Sequence, residues 1–89
     1  MRVDPDFIVR DLMGECILIP SGEAAARYSN AMMSVNEMGK RILELLPRVE
    51  SEEQLTAELL EEYEVEPETL RADVREFLGA LREHGVLLD

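Results

Sequence analysis

Hydrophobic and polar positions divide the chain into two unlike halves. In the first, apolar residues come in short continuous runs. Phe7-Ile8-Val9-Arg10-Asp11-Leu12 is rich in β-branched and aromatic residues, and Cys16-Ile17-Leu18-Ile19 is apolar throughout and ends at Pro20. Met13-Gly14-Glu15 supplies a turn between them, so the two runs predict a β-hairpin. Ser21-Gly22-Glu23 predicts a second turn, and Ala31-Met32-Met33-Ser34-Val35 reads as a candidate third strand. Between these, Ala24 to Ser29 is ambiguous: its alanines favour helix, but the stretch is short and bounded by turn signals.

From Asn36 onward the period changes to that of helices. Met38, Ile42, Leu45 and Leu46 share one face of a first helix that Pro47 ends. Its start offers two caps, Asn36 itself or Ser34 with Glu37 as an S-x-x-E box. Gly39 in its first turn costs about 1 kcal/mol relative to Ala, which points to another element packed close by. Ser51-Glu52-Glu53-Gln54 is a capping box opening a second helix, with Leu55, Leu59 and Tyr63 one turn apart. A third opens at Pro67, carries Leu70, Val74, Phe77, Leu78 and Leu81 on one face, and stops at Gly85. Val86-Leu87-Leu88 is a short apolar tail with strand character. Internal repeats, low-complexity tracts and linkers are absent, so residues 1–89 predict one α+β domain, strands first and helices after.

Composition narrows the picture. At 89 residues with 46% hydrophobic residues the chain can bury a thin core, and scarce aromatics make that core aliphatic. The single cysteine, Cys16, excludes an internal disulfide and a cysteine-based zinc site. No stretch suits a membrane span or a signal peptide, which leads to an expectation of a cytoplasmic protein. The net charge of −11 is unevenly placed. Residues 1–47 hold seven acids and five bases, whereas residues 48–89 hold thirteen acids and four bases. Such a balance argues against nucleic acid, whose binding draws on Lys and Arg contacts to phosphate.

Catalytic parts are missing from the sequence. His84, the one histidine, falls in the last turn of the third helix, where it can bond the last carbonyls. Cys16 lies within an apolar run, as an inert core thiol would. The glutamates Glu58, Glu61, Glu62 and Glu64 lack the spacing of a calcium loop, and the glycines are too scattered for a phosphate or dinucleotide loop. The expectation is a protein that is not an enzyme and holds no cofactor or metal.

One surface pattern remains. With Leu70 at zero on a helical wheel, the apolar arc of the third helix spans roughly −20° to +80°, and Arg71, Arg75 and Arg82 line up at roughly +100° to +140°. These arginines could pair with glutamates of the second helix, or form the lip of an apolar groove that takes an acidic peptide. The third strand candidate offers the other wall, because an exposed sheet edge accepts an extended peptide through main-chain hydrogen bonds. Met32 and Met33 add adaptable side chains there, unless one of them fills the core.

The order of these parts resembles the PqqD family of small proteins, peptide recognition elements for ribosomally made, modified peptides. Met33-Ser34-Val35-Asn36-Glu37-Met38-Gly39 is similar to the family's x-x-(L/V)-N-E-x-(G/A) lead into the first helix. Ile42-Leu43-Glu44-Leu45-Leu46 and, later, Asp73 to Leu81 leading to Gly85-Val86-Leu87-Leu88 follow in the family's order. The resemblance implies a winged-helix-like fold, a three-stranded antiparallel sheet followed by three helices. It further implies a peptide-binding adaptor that takes the leader of a precursor peptide as an added strand and presents it to a modifying enzyme, often a radical S-adenosylmethionine enzyme. Carried onto this chain, the strand is Ala31 to Val35 and the helix wall includes Leu70, Val74, Phe77, Leu78 and Leu81. With the arginine stripe, the candidate peptide-binding residues are Ala31, Met32, Met33, Ser34 and Val35 on the strand and Arg71, Val74, Arg75, Leu78 and Arg82 on the helix. Arg71, Val74, Arg75 and Leu78 are expected to face the peptide, with Leu70, Phe77 and Leu81 packed inward. Asn36 and Gly39 are read as structural. Two other readings stand beside this one: a winged-helix DNA-binding regulator, and a self-associating module whose sheet edge would form a homodimer.

Overall fold

The chain opens with a hairpin made by the two apolar runs. The structure, a computed structural model, describes residues 1–22 and 32–89. Strands β1 (Phe7–Leu12) and β2 (Glu15–Pro20) pair antiparallel from Phe7 opposite Pro20 to Leu12 opposite Glu15. That register leaves a two-residue turn, Met13-Gly14, with both residues at positive φ (52° and 85°). A turn of this mirror-image kind matches the twist of the strands, and Gly14 suits it, whereas Met13 is an L side chain held in the left-handed region. Glu15, expected in the turn, therefore begins β2.

Strand β3 (Met33–Val35) pairs antiparallel with β2, Val35 opposite Cys16 and Met33 opposite Leu18, to give the sheet order β1-β2-β3. It is shorter than the expected Ala31–Val35. Pairing begins at Met33, Met32 precedes the strand and is exposed, and Ala31 lies outside the described residues, as do Glu23 and the ambiguous stretch from Ala24 to Ser29.

Helices α1 (Glu37–Leu45), α2 (Glu52–Glu62) and α3 (Pro67–Glu83) follow, with a single 3₁₀ turn, Leu46–Arg48, closing α1. Thus the described residues form the α+β fold expected, a three-stranded antiparallel sheet followed by three helices. Of the two candidate caps for α1, Asn36 is the one used: its side chain accepts from Gly39 N–H at 2.7 Å, and Ser34 is occupied in β3. Ser51 caps α2 by accepting from Gln54 N–H at 3.0 Å, while the Gln54 side chain reaches back to Glu50 N–H at 2.9 Å. At the end of α3, His84 Nδ1 bonds Ala80 O at 2.9 Å and Gly85 turns the chain at φ 77°.

The core lies between the sheet and the helices and is almost wholly aliphatic. Among the described residues, Leu18, Leu46, Leu55, Leu59, Leu70, Val74, Leu78, Leu81 and Val86 are its largest fully buried side chains, and Phe7 is the one buried aromatic. Val86 and Leu87 are drawn into it by the N-terminal segment, through an antiparallel bridge between Val3 and Leu87 and a 2.8 Å bond from Asp4 N–H to Val86 O. On the surface, Arg41 of α1 forks onto Glu62 of α2, at 2.8 Å from Nε and 2.6 Å from Nη2. That hydrogen bond holds the Glu62 carboxyl below its ordinary range.

Two consequences can be measured. Replacing Met13 by Asn, which tolerates the left-handed turn, should stabilise the fold by about 0.5–1 kcal/mol in urea unfolding; no change would mean that the hairpin turn is not strained. The Arg41–Glu62 pair depresses a carboxylate in the folded state, so its contribution is present above the ordinary Glu range and is lost as pH falls below that range, through the lowered folded-state value. Arg41→Gln should accordingly lower Tm at neutral pH, with the gap to the parent protein closing as pH falls below the ordinary Glu range.

Candidate functional site

Strand β3 ends the sheet, and the chain turns at Asn36 directly into α1, which brings the last strand and the first turn of a helix to one place. Gly39 makes this junction close. A methyl group built on Gly39 would lie 3.1 Å from the Phe77 ring of α3 and 3.2 Å from the Val35 side chain of β3. The nearby element that its cost in the helix implied is therefore two elements, α3 and β3. A cavity of about 280 Å³ lies between α1 and α3, lined by Asn36, Met38, Gly39, Ile42, Asp73 and Phe77. A second cavity, of about 720 Å³, shares Asn36 and runs along β3 past Ser34 and Val35 to Asp11, Glu15, Glu37 and Lys40. Together they run from the hairpin end of the sheet, across β1, β2 and β3, to the gap between α1 and α3, and this is the candidate cleft.

The floor of this cleft is apolar and its charged groups are mostly carboxylates. Val35 and Ile42 are buried, Met38 and Phe77 are half-buried, and Ser34 is exposed. Lys40 is the one base among the lining residues, and it is held 3.3 Å from Asp11, whose hydrogen bond and charge raise the ammonium above its ordinary pKa. Asp73 has no hydrogen-bond or ion-pair partner among the described residues.

Several residues expected to face a peptide lie elsewhere. Val74 and Leu78 are fully buried in the core, because the centre of the apolar arc packs against the other elements and offers no surface. Phe77, expected inside, is instead half-buried and lines the cleft. Among the arginines, Arg71 and Arg75 line hollows shared with Glu53 and Thr56 of α2, and Arg75 Nε is 3.8 Å from Glu52 Oε1. Arg82 Nε donates to the backbone carbonyl of Asp89 at 2.8 Å. The stripe thus faces α2 and the C-terminal residues, away from the cleft, and the acidic-peptide lip it suggested is not formed. Ser34 and Val35 do line the cleft, whereas Met33 packs against the core.

The residue that the sequence reading missed is Asp73, while Phe77 was counted in the helix wall but expected to pack inward. On the wheel the two occupy the opposite edge of the apolar arc from the arginines, at roughly −60° and −20°. That position was visible in the sequence; what was missing was which neighbour each edge meets. No group of His, Cys, Asp and Glu suited to a metal ion occurs among the described residues, and Cys16 is a half-buried free thiol. No helix among the described residues is long and apolar enough to cross a membrane.

Comparisons with known proteins agree with this fold. No curated protein matches the chain in sequence. Two solved structures share its fold. TbiB1, solved in complex with the TbiA(beta) leader peptide, superposes with a TM-score of 0.72 at 22% identity, over 100% of both chains. A lasso peptide synthetase B1, complexed with its leader peptide, superposes with a TM-score of 0.73 at 23% identity, over 99% of this chain and 96% of its own. Residues 15–87, from the start of β2 to the bridge residue Leu87, match the family model of coenzyme PQQ synthesis protein D (PqqD), and the chain belongs to the PqqD family.

Proposed function

We propose that this protein is a non-enzymatic peptide-binding adaptor, which takes the leader of a ribosomally made precursor peptide and delivers it to a modifying enzyme. The observation that carries the reading is the open β3 edge standing beside an apolar cleft, in a PqqD-family fold whose structural neighbours were solved with leader peptides. A peptide laid along β3 would extend the ladder through its main chain, and every second side chain would point toward Met33, Val35, Gly39 and Phe77. Backbone pairing would supply affinity that is indifferent to sequence. The cleft would supply the choice of leader.

Chemistry then belongs to the partner. Holding the leader raises the effective concentration of the attached core peptide at the enzyme, with no new contact to the reacting atoms. A radical S-adenosylmethionine enzyme is the partner class we favour, on the family resemblance alone. The same edge would serve a second copy of the chain if the protein dimerised, in competition with the peptide. A DNA-binding role is less well supported, since Arg75 and Arg82 are engaged within the protein and Arg71 lies over α2.

The experiment is to purify the tagged protein from its host, identify co-purifying peptides by mass spectrometry, and resynthesise any recovered peptide with a fluorescent label for anisotropy. A short ribosomal peptide should bind the parent protein. Phe77→Glu, checked for folding by circular dichroism, should weaken binding at least about tenfold, or 1.4 kcal/mol. The combined Arg71→Gln, Arg75→Gln and Arg82→Gln protein should bind within about twofold of the parent, because those side chains face away from the cleft. Loss of binding in the arginine protein with none in Phe77→Glu would put the peptide on the other side of α3.

A further inference from the structure

The charge of the cleft bears on what kind of peptide it selects, given that it is a peptide site as proposed above. Its lining holds four carboxylates, Asp11, Glu15, Glu37 and Asp73, against the single base Lys40. Lys40 is already committed to Asp11. The other bases near α3 are turned elsewhere: Arg75 toward Glu52, Arg82 toward the Asp89 carbonyl, and Arg71 into the hollow over α2. Asp73 is therefore left unpaired among the described residues, at the mouth of the smaller cavity that Gly39 and the Phe77 ring also line.

We infer that the cleft selects a basic segment of peptide, in which an apolar side chain enters the cavity over Gly39 and Phe77 and a neighbouring Lys or Arg pairs with Asp73. The geometry suits this pairing of chemistries. A cavity of about 280 Å³ is at the lower limit of the roughly 300–1,000 Å³ usual for small-molecule sites, and it fits one or two side chains. A Lys or Arg stem can lie along the Phe77 ring while its charged head reaches the exposed carboxylate of Asp73. An acidic residue beside the anchor would meet the like charge of Asp73, so discrimination comes from repulsion as well as attraction. The net charge of −11 adds long-range attraction for any cation, but only Asp73 ties the preference to a position beside the apolar anchor.

Selection from a random-peptide mRNA-display library tests this, using three proteins: the parent, Asp73→Lys, and Glu58→Lys. The last makes the same change in net charge on the exposed surface of α2. With the parent, recovered peptides should be enriched in Lys or Arg next to an aromatic or branched apolar residue. With Asp73→Lys that preference should vanish or turn to Asp and Glu, whereas Glu58→Lys should leave it in place. Individual peptides with and without the basic residue should differ about two- to fivefold in affinity for the parent protein, as an exposed ion pair allows, and the difference should shrink as salt rises. Enriched peptides with no charge preference, or with a preference that shifts equally in both variants, would overturn the role of Asp73 and leave the peptide reading standing. No enrichment with any of the three proteins would overturn both.

Discussion

The approach of β3 and α3 to a single point on α1 is the constraint on which the cleft depends. Gly39 sits at that point, and the 3.1–3.2 Å separations that a methyl group would have from Phe77 and Val35 show how little room is left. A glycine costs helix stability at this position, and the cost is offset by the packing it permits. Phe77, packed against that bare backbone, stands half-buried at the edge of the core and lines the cavity between α1 and α3.

The rest of the core makes this arrangement affordable. Nine aliphatic side chains are fully buried, drawn from β2, the 3₁₀ turn, α2, α3 and the C-terminal segment, so the sheet and helices hold one another without relying on α1 alone. The N-terminal residues join in by bridging to Leu87. An open sheet edge is a hazard in most small proteins. Here it is short, three residues long, and the chain leaves it directly for α1 through Asn36.

Opposite faces of α3 carry opposite electrostatic duties. One edge of its apolar arc bears arginines, which meet the glutamates at the start of α2 and the backbone at the C-terminus. The other bears Asp73 and faces the cleft. A helix placed between an acidic neighbour and an open groove has its charges sorted by the neighbour: bases go where carboxylates already are, and the groove receives what is left. Surface ion pairs of this kind add little stability. Their effect here is to keep the positive charge of α3 out of the groove.

The sequence by itself determined the elements. β-branched runs, the glycine of the hairpin turn, the caps at Asn36 and Ser51, the proline opening α3 and the glycine ending it are local chemistry, and each acts within a few residues of where it is read. It also determined that the core would be aliphatic and that Gly39 would be crowded. What only the tertiary structure decided was which side of each element meets which neighbour. Asn36 took the cap in place of Ser34 because pairing with β2 held Ser34 in the strand. Val74 and Leu78 were buried, and Phe77 was not, because a helical wheel defines the centre of an apolar arc but not what stands at either border. The arginine stripe and Asp73 are equally plain in the sequence. Their assignment to α2 and to the cleft depends on the order in which the elements pack, a long-range property that no local pattern encodes.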